Sequence, residues 1–108
     1  MLVAKLKDES KVKVEVGTVL QAYYPCVSYH MMLTKNDNGS YKLTTITKRS
    51  EVDVAVFYHE DMNEVKAVEA VSAWLAKAFP KSDTTRLSQG FDWDFLDLEL
   101  KATSVYTY

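Results

Sequence analysis

From Lys11 to Tyr24 a single parity persists along the chain. Val12, Val14, Val16, Thr18, Leu20, Ala22 and Tyr24 fall on one face of an extended backbone, opposite Lys11, Lys13 and Glu15. Alternation with period two is the pattern of a half-buried strand. Gly17 interrupts the run, which predicts either one bent strand or two, and Pro25 ends it. Residues 2–7 read as a short strand before the turn Asp8-Glu9-Ser10.

Residues 27–35 and 41–49 form a hairpin around Asn36-Asp37-Asn38-Gly39-Ser40. A two-residue turn at Asn38-Gly39 would set Lys35 against Lys42, a like-charge pair that costs stability. The expected register is therefore a three-residue loop with Gly39 in the left-handed conformation, Leu33 opposite Leu43 and Lys35 opposite Tyr41. Val27, Tyr29, Met31 and Leu33 share one face, and Cys26, Ser28, His30 and Met32 the other, expected to be a polar outer face. Residues 52–59 add a strand whose centre, Ala55-Val56-Phe57-Tyr58, is apolar on both sides, as in a sheet interior.

The spacing then changes to that of a helix over residues 62–79. Val65, Val68, Val71, Leu75 and Phe79 define the expected buried stripe, with Trp74 at its margin. Asp61 with Glu64 resembles a capping box, Lys77 suits the C-terminal end of the helix dipole, and Pro80 stops the helix. Residues 80–90 read as a polar loop.

The segment Phe91-Asp92-Trp93-Asp94-Phe95-Leu96-Asp97-Leu98-Glu99-Leu100 alternates acid with apolar, then slips phase at Phe95–Leu96. Read as a strand with a β-bulge at the slip, it places Asp92, Asp94, Asp97 and Glu99 on one face. The tail Ser104–Tyr108 would extend it. These elements predict one α+β domain over residues 1–108, in the order β-β-β-β-β-α-β. Its single twisted, mainly antiparallel sheet has about five to six strands, with one amphipathic helix packed on a face and the other face partly wet.

Charge changes this picture modestly. Residues 1–49 carry a balance of +4 and residues 50–108 a balance of −6, within a net charge of −2. The lone Cys26 excludes an intrachain disulfide and suits a reducing, cytoplasmic setting. No apolar run reaches the roughly 20 residues of a membrane span.

Candidate chemistry is sparse. On an extended strand Cys26 and His30 stand about 13 Å apart, too far for a thiolate–imidazole pair. Ser28 and His30, two apart, would stand parallel rather than converge, and no glycine-rich elbow surrounds Ser28. His59-Glu60-Asp61 lacks zinc or calcium spacing, so no metal site is expected. Three glycines, at 17, 39 and 90, make no phosphate loop, and no cofactor is expected.

The reading that remains is a small soluble, non-enzymatic protein-binding module, a regulator, adaptor or inhibitor. It would dock on a larger, basic protein through Asp92, Asp94, Asp97 and Glu99 together with the aromatic surface at Tyr23 and Tyr41. One alternative is a subunit of a homomeric or mixed assembly joined by edge-strand pairing. Another is a nucleic-acid mimic or nucleic-acid-handling protein, since acids two apart on a strand stand about 6.8 Å from one another, near the spacing of phosphates.

Overall fold

The computed structural model describes residues 1–108. Strands β1 (Leu2–Lys5) and β2 (Lys11–Val14) pair with each other as a separate antiparallel ribbon. Strands β3 (Val19–Tyr23), β4 (Ser28–Lys35), β5 (Tyr41–Ser50) and β6 (Asp53–Met62) make an antiparallel meander. After them come α1 (Glu64–Ala78), β7 (Leu87–Gly90), α2 (Asp92–Leu100) and β8 (Ser104–Thr107). The main sheet has six strands in the order β7-β3-β4-β5-β6-β8, and only β8 runs parallel to its neighbour. The class is α+β, as the hydrophobic pattern predicts, but with eight strands in two sheets and two helices where six strands in a single sheet and one helix are expected.

Gly17 divides the long run of alternating residues into two strands. Its φ of +84° lies where a side chain is disfavoured, so the chain can turn from the ribbon into the main sheet there. The hairpin takes the expected register, Leu33 opposite Leu43 and Lys35 opposite Tyr41, with Gly39 at φ +87°. β6 is interior to the sheet, flanked by β5 and β8.

Helix α1 starts two residues later than its sequence suggests. Asn63, not Asp61, is the cap: its side chain accepts a hydrogen bond from the Lys66 amide at 2.9 Å. Asp61 instead lies in β6 with φ +53°. The buried stripe is Ala67, Val71, Trp74, Leu75 and Ala78, continued by Phe79, while Val65 is exposed. The stripe is turned toward the alanines because α1 is contacted from two sides, by β5 and β6 of the main sheet and by β1 of the ribbon. Alanine lets both approach closely. The Lys5 amide of β1 donates to Ser72 Oγ on α1 at 3.1 Å.

The largest correction concerns residues 91–100. They form a helix, not a bulged strand. The phase slip at Phe95–Leu96 that a strand needs a bulge to absorb is ordinary helical spacing: Phe95, Leu98 and Ala102 stand three, four and seven apart and meet the sheet together. Asp92 and Asp94 lie in the first turn, where the helix dipole favours negative charge. The tail does not extend this segment either; it returns as β8 along β6.

The sheet is therefore covered on both faces. On one, Ala22, Met31, Leu33 and Leu43 pack with Val71, Leu75 and Phe79 of α1 and with Leu2, Ala4 and Val14 of the ribbon. On the other, Val19, Ile46, Val54 and Val56 form a smaller core closed by Phe95 of α2. The face expected to be wet is the one under α2, and Ser28 and His30 are buried there.

Candidate functional site

Helix α2 has two apolar sides. Phe95 is 1% exposed and points to the sheet. At about 100° of rotation per residue, Trp93, Leu96 and Leu100 lie on the opposite side, and all three are exposed, at 62%, 49% and 87%. Phe91, just before the helix, stacks on Trp93 with ring centroids 4.3 Å apart, so two aromatic rings present one continuous solvent-facing surface.

The four carboxylates do not form a row. The helical turn sends them to two flanks of this apolar ridge, Asp94 and Asp97 to one, Asp92 and Glu99 to the other. Asp97 pairs with Lys101 at 2.9 Å, and Glu99 accepts a hydrogen bond from the Tyr58 hydroxyl of β6. Asp92 binds the Trp93 amide at 3.0 Å. Only Asp94 is free of protein partners.

On the Asp94 and Asp97 flank a cleft of about 410 Å³ opens between α2 and the sheet. It is an open groove lined by Tyr23 of β3, by Lys48, Arg49 and Ser50 of β5, and by Lys101 just beyond α2. Its floor is Ser28 and His30, 9% and 2% exposed. These two side chains do converge, contrary to the expectation for residues two apart on a strand: His30 Nε2 and Ser28 Oγ share a hydrogen bond of 2.9 Å. Tyr23 packs edge-on against the imidazole, with centroids 5.4 Å apart. Burial, and then the Lys48 ammonium across the strand pair, push His30 down to about 4. The ring is thus uncharged at neutral pH and suited to hydrogen bonding rather than to carrying charge. Cys26 is exposed at the rim.

The six residues singled out by sequence fall into three groups. Tyr23, Asp94 and Asp97 meet around the cleft. Asp92 and Glu99 occupy the other flank of α2. Tyr41 belongs elsewhere: it lies at the far end of β5, packed against the core under α1 and beneath the Lys35 ammonium at 5.3 Å. Sequence reasoning missed the ridge of Trp93, Leu96 and Leu100, although spacings of three and four were there to find. Arg49 and Lys101 come together at the cleft only through the packing of α2, and the sequence carries no local signal of that meeting.

No group of three or more His, Cys, Asp and Glu side chains is placed to hold a metal ion. No helix is long and apolar enough to cross a membrane. No family model, curated protein or solved structure matches this chain.

Proposed function

We propose that the chain is a non-enzymatic protein-binding module that docks through the outer side of α2 on a partner whose apolar contact is rimmed by lysine or arginine. The observation that carries this reading is the exposure of Trp93, Leu96 and Leu100 on a helix whose inner side is already satisfied by Phe95. Nothing in folding requires those three large side chains to be apolar, and aromatic and leucine side chains on a rigid element are the kind that anchor interfaces. Carboxylates on both flanks give the surface its charge preference and steer a basic partner toward it. The same charge disfavours pairing with a second copy, which would bring two acidic helices together. A regulator, adaptor or inhibitor working in a reducing, cytoplasmic setting suits this surface and the free Cys26.

The test is comparative capture. A partner retained by the wild-type chain should be lost when Trp93 and Leu96 are both replaced by serine, and its association should slow as salt rises. A partner held equally by the double variant does not use this surface. A stable dimer of the chain in light scattering, abolished by the same double variant, would replace this reading with self-assembly.

A further inference from the structure

Beyond that docking surface, we propose that the cleft beside α2 binds a small zwitterion of the α-amino-acid class, its carboxylate toward Arg49 and its ammonium toward Asp94. The volume of about 410 Å³ lies at the lower end of the ~300–1,000 Å³ of small-molecule sites. Five charged side chains line it: Lys48, Arg49, Asp94, Asp97 and Lys101. Three of them already have ion-pair partners, Lys48 with Glu51 at 2.8 Å and Asp97 and Lys101 with each other at 2.9 Å. Arg49 on the β5 wall and Asp94 on the α2 wall remain, and they are not paired with one another.

This arrangement selects among ligands. A simple anion would gain the guanidinium but face the Asp94 carboxylate; a simple cation would gain Asp94 but face Arg49. A molecule carrying both charges satisfies both walls, with charge-assisted hydrogen bonds at each end. The floor adds polarity without a third charge, since Ser28 and His30 are bonded to each other and His30 is neutral. The Tyr23 ring offers an apolar wall to the body of the ligand.

The experiment is a titration of the isotope-labelled chain with the standard free amino acids, followed by NMR, with acetate and methylammonium as single-charge probes. At least one amino acid should give saturable shifts centred on Ser28, His30, Arg49 and Asp94, with Kd of about 1 mM or tighter. Acetate and methylammonium should each bind at least about tenfold more weakly. Arg49→Gln and Asp94→Asn, both at exposed positions, should leave the melting temperature unchanged and each weaken the amino acid about tenfold. Bound ligand should also slow alkylation of Cys26 at the rim. A flat titration with every amino acid, acetate binding as well as the best of them, or full affinity in both variants overturns the proposal. Arg49 lies off the α2 ridge, so Arg49→Gln should still capture a docked protein, and failure of one proposal is distinguishable from failure of the other.

Discussion

The Tyr58 hydroxyl on β6 donates a hydrogen bond to the Glu99 carboxylate near the end of α2, and this bond holds the helix against the sheet. The contact is partly buried, and desolvation followed by the carboxylate raises the Tyr58 phenol to about 12. Tyr58→Phe should cost about 1–2 kcal/mol by chemical denaturation. Of the four acids on α2, Glu99→Gln should be the one that lowers stability measurably, whereas Asp92→Asn and Asp94→Asn should shift it by less than about 0.5 kcal/mol. The phenol is higher in the folded than in the unfolded chain, so its contribution is complete below pH 10 and lost as pH rises toward 12. Melting curves in which Tyr58→Phe loses less stability than wild type over that alkaline range check the assignment, and equal loss overturns it.

The two sides of α2 should respond oppositely to truncation. Phe95→Ala opens a cavity in the small core under the helix and should cost about 3–5 kcal/mol. Trp93→Ser and Leu96→Ser, on the outer side, should change stability by no more than about 0.5 kcal/mol each. Equal destabilisation from both sides would mean that the outer residues are packed in solution.

His30 makes the fold sensitive to mild acid. Its folded value of about 4 lies below the usual 6.5, chiefly through burial and then through Lys48. The stability tied to the neutral ring is therefore complete above pH 6.5 and lost as pH falls toward 4. Urea midpoints between pH 7 and pH 4.5 should fall more steeply for the wild type than for His30→Gln. Parallel slopes would show that the ring charges without penalty.

On the other face of the sheet, Val71 of α1 is fully buried in the core. Val71→Asp should unfold the domain, because nothing nearby can pair the charge. Retention of a cooperative melt by this variant would contradict the packing of α1.

The meander is legible because its strands are short apolar, β-branched and aromatic runs bounded by turn residues, and its hairpin register is fixed by one charge conflict, Lys35 against Lys42. The start of α1 is ambiguous in the sequence because Asp61 and Asn63 are both good caps, and β6 runs on past Asp61. The acidic segment is ambiguous for a deeper reason: alternating acids and aromatics fit a strand locally, and only the apolar surface of the sheet makes helical spacing the better solution. The candidate site suffered in consequence. Ser28 and His30 look solvent-facing in the sequence because the segment that covers them, residues 92–100, has the local pattern of a strand.

The positions of β7 and β8 bear on how the molecule assembles in time. β3 to β6 join neighbours in sequence through short turns, so their closure is entropically cheap and fast. β7 must find β3 at the opposite edge from β8, across a separation of more than sixty residues, Val19 meeting Gly90. Such distant pairings slow folding. The order this implies is an early meander with α1, followed by both edges and α2 together, and φ-values near zero at Phe95 with high values at Leu33 and Leu43 would be its kinetic signature. The helix that carries the exposed ridge would then be the last element to dock and the first to leave.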